Sequence, residues 1–154
     1  MTVTAAEIKK IREATGAGML DCKKALEVAN GDWDKALAWL KEKGLANAAK
    51  KSDRATNEGY VASYVHNTGK IAALAELLCE TDFVARGEEF RGLATEIAMQ
   101  VAAMAPENNE ELMGQELIKR PGVTVEEAIK TLSGKVGENI TFGRFQRLMI
   151  GENG

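Results

Sequence analysis

Between residues 90 and 105 apolar side chains return at helical spacing for more than four turns. Phe90, Leu93, Ala94, Ile97, Ala98, Val101, Ala102 and Ala105 share one face, and Pro106 ends the run. A stripe this long has to be removed from water against a surface of similar width. The pattern upstream supplies that surface. Tyr60, Ala62, Tyr64 and His66 alternate with Val61, Ser63 and Val65, Asn67-Thr68-Gly69 makes a turn, and Ile71 to Cys79 runs back as a second strand. Ile140 to Ile150 reads as a third strand, which completes a three-stranded antiparallel sheet with the helix over one face. Thr124 caps a further helix carrying Val125, Ala128, Ile129, Leu132 and Val136. Between the two helices ENNEELMGQELIKRPG, residues 107–122, is polar and offers few core candidates.

The first 44 residues have a different period. Ala5, Ile8 and Ile11 face one way and Lys9, Lys10 and Arg12 the other, up to the turn Thr15-Gly16-Ala17-Gly18. Cys22, Ala25, Leu26 and Ala29 mark a second helix that ends at Asn30-Gly31. Asp32 caps a third with Trp33, Ala36, Leu37 and Leu40 inside, and Lys41, Lys43 and Gly44 predict its end. LANAAKKSDRATNE, residues 45–58, lacks an apolar stripe and reads as a partly helical, solvated linker. The predicted fold class is therefore α+β. It comprises a three-helix module over 1–44, a linker over 45–58, and over 59–154 a small core of three-stranded antiparallel sheet packed with helices. Three short helices bury only a small core, which suits a module that docks on something else.

Composition narrows the function. The 154 residues carry 20 basic and 23 acidic side chains, interspersed, for a net charge of -3, so no broad field attracts nucleic acid or an anionic membrane. The local exception is Lys50, Lys51 and Arg54, three cations without interleaved aromatics, better explained as a solvated linker than as an RNA footprint. No run of about 18 apolar residues exists and MTVTAAEIKK has no apolar signal core, which predicts a chain that stays where it is made unless a targeting segment has been removed. Two cysteines, neither with a partner at metal-ligand spacing, fit a reducing compartment. A thiol enzyme would have to pair His66, the only histidine, with Cys22 or Cys79, and a small buried Cys79 is the simpler expectation. No P-loop, dinucleotide fingerprint or zinc signature is present, so no catalytic residue, metal ligand or cofactor is expected.

Binding is better supplied. In Thr81-Asp82-Phe83-Val84, Thr81 or Asp82 can cap a short helical turn and hold the next two apolar side chains at the edge of the protein. Periodicity alone leaves a second reading open, in which Phe83 folds back under the Phe90 helix. Met19 and Leu20, after the double-glycine turn, are likewise either module core or an exposed docking knob.

Ile11 to Leu26, IREATGAGMLDCKKAL, closely resembles the opening signature of the elongation factor Ts family. Ala48-Ala49-Lys50-Lys51 resembles its linker, Cys79 to Arg86 its second signature, and Lys135 to Ile140 with Arg144-Phe145 its closing segment. The matches follow family order and span the chain. The resemblance implies a non-enzymatic guanine-nucleotide exchange factor for elongation factor Tu in the cytoplasm, bacterial or processed organellar. It also implies that the three-helix module is similar to ubiquitin-associated domains and docks on the nucleotide-binding domain of the GTPase. Lys9, Arg12, Met19 and Leu20 match that contact surface, with Leu20 replacing a methionine common in the family. Thr81, Asp82, Phe83 and Val84 match the element that displaces magnesium, Asp82 holding the turn and bonding to the partner while Phe83 wedges between partner helices. Larger members have a core of two related halves and further helical segments; a single α+β unit ending at Gly154 looks like the short form, for which the resemblance implies a homodimer through the sheet or its edge. Residues 107–122 are expected to shape that interface. The rival readings are a stand-alone peptide-binding adaptor, which uses the module alone and buries Phe83, and the RNA-binding reading of the linker cations.

Overall fold

The computed structural model describes residues 2–152; Met1, Asn153 and Gly154, at the ends of the spans assigned above, lie outside the described residues. Its first part is three helices, α1 (Ala5–Thr15), α2 (Met19–Val28) and α3 (Trp33–Lys50). Thr4 opens α1 with a capping box: its Oγ1 accepts the Glu7 N–H, and Glu7 Oε2 accepts the Thr4 N–H at 2.8 Å. Gly16 closes the helix at φ 69°, a conformation that L side chains rarely adopt. Asp32 caps α3 by accepting the Lys35 N–H at 3.0 Å. Ile11, Cys22, Ala25, Leu26, Ala36 and Leu40 form the small core these helices share, with Trp33 and Leu37 packed against it.

Gly44 does not stop α3, contrary to the sequence expectation. The helix continues to Lys50, so the first residues assigned to a linker are helical and Ala48 is buried. The glycine serves a crossing instead: a Cβ on Gly134 would stand 3.2 Å from the Gly44 Cα and carbonyl oxygen, tighter than ordinary van der Waals contact. Here α3 packs on α7 (Val125–Val136) and joins the two parts of the molecule.

The second part is built on β1 (Glu58–Val65), β2 (Ile71–Cys79) and β5 (Thr141–Met149), antiparallel throughout and ordered β1-β2-β5, which agrees with the α+β expectation. A four-residue helix α4 (Asp82–Ala85) follows β2, and α5 (Glu88–Met104) then lies over the inner sheet face. Ala62, Ala73, Ala75 and Leu77 meet Phe90, Leu93, Ala94, Ile97, Ala98 and Val101 there, all buried. Ala105 departs from the predicted stripe. It takes a left-handed conformation at φ 46°, is exposed, and closes the helix before Pro106.

Residues 107–122 are much less neutral than their polarity suggested. They form α6 (Asn109–Gly114) and a small hairpin of β3 (Glu116–Leu117) and β4 (Arg120–Thr124), and Leu112 and Leu117 are fully buried. Gln100, fully buried on α5, clamps the hairpin. Its Nε2 donates to the Glu116 carbonyl at 3.0 Å and Gln115 Oε1 at 3.2 Å, while its Oε1 accepts the Ile118 N–H at 3.0 Å. Replacing Gln100 by Leu removes three part-buried hydrogen bonds at once, and urea unfolding is expected to show a loss of about 1 to 3 kcal/mol. An unchanged midpoint rejects the clamp.

Candidate partner-docking site

The segment after β2 has to turn from strand to helix within three residues. Thr81 begins the turn with extended backbone (φ -124°, ψ 154°), and its Oγ1 accepts the Val84 N–H at 3.4 Å as the α4 cap. The α4 side chains then diverge. Val84 and Ala85 are buried in the cluster that contains Phe90, whereas Phe83 is 85% exposed. The reading that tucked Phe83 under α5 is excluded, and so is the expectation that Val84 stands at the edge beside it. Adjacent residues on a helix point about 100° apart, so a turn that anchors one apolar side chain inward presents its neighbour outward.

The exposed ring stands on a firmly tied base. Glu138, between α7 and β5, accepts the backbone N–H groups of Glu80 at 3.1 Å and Thr81 at 3.0 Å on Oε1, and the Thr81 hydroxyl at 2.6 Å on Oε2. Asp82 Oδ2 accepts from Arg86 Nη2 at 2.8 Å, one helical turn on. Arg91 Nε donates to the Ala85 carbonyl at 3.1 Å, with the guanidinium over the Tyr60 ring. Asp82 is thus exposed and ion-paired within its own turn. Glu138 was not singled out as an anchor of this turn; its reach to Thr81 spans 57 positions, which no local pattern reveals.

The second cluster lies on the three-helix part. Met19 and Leu20 occupy the first turn of α2, at 60% and 82% exposure, so both are knobs rather than core. Lys9, Arg12 and Met19 share the rim of a shallow groove with Ile8. Leu20 projects beside them outside that groove, and Lys9 Nζ lies 3.9 Å from Glu13.

A thiol–imidazole pair is not formed. The β1–β2 register puts His66 at the hairpin turn and Cys79 at the opposite end, paired with Glu58. His66 Nδ1 is 3.0 Å from the Tyr64 hydroxyl. Burial pushes the Cys79 thiol up to about 11, and burial likewise raises Cys22. Among the described residues no group of three or more His, Cys, Asp or Glu side chains is arranged to hold a metal ion, and no helix is long and apolar enough to cross a membrane.

The sequence profile of the family described as Elongation factor TS matches residues 80–154. Among curated proteins, Elongation factor Ts of Solidesulfovibrio magneticus is 39% identical over 196 residues, covering 98% of this chain and 98% of that protein. Elongation factor Ts of Leptospira biflexa is 41% identical over 198 residues, covering 99% and 100%. Elongation factor Ts of Oleidesulfovibrio alaskensis reaches 52% over 139 residues, 90% of this chain and 69% of that protein. The two long alignments exceed this chain's 154 residues, so those relatives carry additional residues between the matched segments.

The divergent burial of α4 separates folding from display. Val84→Ala is expected to lower stability by about 1 to 2 kcal/mol, and Phe83→Ala to stay within about 0.5 kcal/mol of the parent. Denaturant titration of both variants checks this, and equal losses reject the division. The buried thiols carry a further expectation: neither cysteine reacts with a thiol reagent at about pH 8 until the chain unfolds, because the reactive thiolate is suppressed.

Proposed function

The chain belongs to the elongation factor Ts family of translation elongation factors, and on that premise we propose that it is a non-enzymatic guanine-nucleotide exchange factor of the cytoplasm, acting on elongation factor Tu in its GDP form. The observation that carries this reading is Phe83, an aromatic ring 85% exposed on a turn held through the Thr81 and Val84 N–H groups and the Asp82 carboxylate. Such a ring is presented at a cost and recovers it only in another protein's interior.

In this reading Phe83 wedges between helices of the GTPase, Asp82 bonds to the partner from the same turn, and Thr81 fixes the turn's start. The groups around the bound magnesium shift, and the ion and then GDP leave. Val84 serves from within, by anchoring α4. Burying one Phe contributes about 1.5 to 3 kcal/mol, and each tenfold in release needs about 1.4 kcal/mol of preferential stabilisation of the opened state. The wedge alone therefore supplies roughly ten- to a hundredfold, and larger acceleration draws on other contacts. The helices α1–α3, read as similar to ubiquitin-associated domains, provide these through Lys9, Arg12, Met19 and Leu20. Loss of magnesium adds a further lever, since the ion neutralises phosphate charge. Coupling of this kind is reciprocal, so incoming nucleotide expels the factor and no covalent step is needed.

The outer sheet face supports a homodimer. Val61, Val65, Leu74 and Leu148 stand exposed opposite the α5-covered face, and a second copy would cover them. The rival readings have less support. An adaptor that buries Phe83 is at odds with its exposure, and Arg54 lies 3.5 Å from Glu80 rather than standing free for a phosphate.

Release of a fluorescent GDP analogue from elongation factor Tu at fixed magnesium tests the proposal. Acceleration by this chain that is largely lost in Phe83→Ala is expected; release unchanged by that substitution rejects the wedge. Alanine at Arg12 or Met19 is expected to weaken complex formation in a titration with the sheet core still folded, and unaltered affinity removes α1–α3 from the contact. Light scattering is expected to give a dimer mass, and a monomer mass at every concentration rejects the homodimer.

A further inference from the structure

We propose that Glu138 and Asn139 form a joint that fixes the Phe83 turn relative to the N-terminal helices, with Glu138 as a positioning residue for the wedge; the inference rests on the exchange reading above. The joint sits where the sheet runs out. The β2–β5 ladder reaches Leu78 opposite Thr141, and beyond it the backbone N–H groups of Glu80, Thr81 and Asn139 have no facing strand carbonyl. Two carboxylates replace the ladder and exchange bonds across the gap. Glu138 accepts from the backbones of Glu80 and Thr81, and Glu80 Oε1 accepts the Asn139 N–H at 2.7 Å.

Asn139 extends the same network to the helices. Its side chain, buried at 5% exposure, donates through Nδ2 to the carbonyls of Arg54 at 2.8 Å and Ser52 at 3.3 Å. Those carbonyls belong to a turn that runs straight off α3: Ser52 Oγ donates to the Ala49 carbonyl at 2.8 Å, and the Arg54 N–H to the Lys51 carbonyl at 3.0 Å. The Arg54 guanidinium returns to Glu80 Oε1 at 3.5 Å. From α3 to Phe83 the path is thus a chain of satisfied hydrogen bonds, where the sequence predicted a solvated linker. Ser133 Oγ, donating to the Glu138 carbonyl at 2.6 Å, fixes the joint to the end of α7.

Glu138 is central because α4 is short. With only Val84 and Ala85 inside, the turn has little packing of its own, and local opening is inexpensive unless the Glu80 and Thr81 N–H groups are held. A wedge that samples several positions still meets its partner, but is aligned less often when the nucleotide site must open. The function of Glu138 is therefore geometric rather than a matter of charge.

Two substitutions separate geometry from charge. Glu138→Asp keeps the charge and withdraws the carboxylate by one methylene; Glu138→Gln removes the charge but keeps Oε1 for the two backbone N–H groups and offers Nε2 to the Thr81 hydroxyl. In the full chain, Glu138→Asp is expected to lower the maximal stimulated GDP release about tenfold with little change in the half-saturating concentration, and Glu138→Gln to stay within about threefold of the parent. The reverse order, with Gln the more damaging, overturns the positioning role, as does a Glu138→Asp chain with parental maximal release. Amide hydrogen exchange of the free protein, which is independent of any GTPase, is expected to accelerate at Glu80 and Thr81 in Glu138→Asp while Leu77 stays protected. Unchanged protection at those amides, or acceleration throughout β2, overturns the joint. A parent chain that fails to stimulate release overturns the exchange reading instead, and the amide measurement still decides whether Glu138 holds the turn.

Discussion

The contact on which the other features depend is α5 lying across the inner face of β1 and β2. That face is built from small residues, Ala62, Ala73 and Ala75, so the helix axis can approach closely and the larger side chains of α5 fill the space. Phe90 and Ile97 are fully buried as a result, and Leu112 and Leu117 close the far end of the same cluster. Because α4 enters this cluster through Val84, the α5–sheet contact fixes the root of the Phe83 turn as well as the core.

A core satisfied in this way lets the periphery keep apolar groups in water. Phe83, Met19 and Leu20 are exposed on elements whose opposite sides are buried, so each is carried on a rigid mount. Rigidity matters for any apolar side chain that is to enter a partner, since a mobile ring gives up conformational entropy on insertion and an immobilised one has given it up already. The polar ties at the Glu138 joint achieve at the protein surface what packing achieves inside. A side chain accepting several backbone N–H groups on one oxygen is a short and directional anchor.

Features with a local cause were legible in the sequence. The α5 stripe, the Asn67-Gly69 hairpin turn and the caps at Asp32 and Thr124 follow from periodicity and short-range hydrogen bonding, and the structure has them at those places. Gly44 misled because a glycine after lysines looks like a helix end, whereas its cause is Gly134 on a helix some ninety residues later. The Phe83 and Val84 pair was ambiguous for the same reason: both are apolar, and which one turns inward depends on where α5 and the sheet stand relative to α4. Gln100 and Glu138 were invisible as anchors, since polar side chains acquire partners only in three dimensions.

The hairpin of β3 and β4 shows how a short connection closes a core. The chain passes from α5 to α7 through one short helix and one hairpin. So brief a connection has few apolar residues to spend. It places Leu112 and Leu117 inside and relies on Gln100 to satisfy the hairpin backbone that they carry toward the interior. A leucine at position 100 would fit the α5 stripe better by pattern, yet it would take from the Ile118 N–H its acceptor on α5. The polar residue in the middle of the helix stripe is thus a consequence of the short crossing, and the two have to be read together.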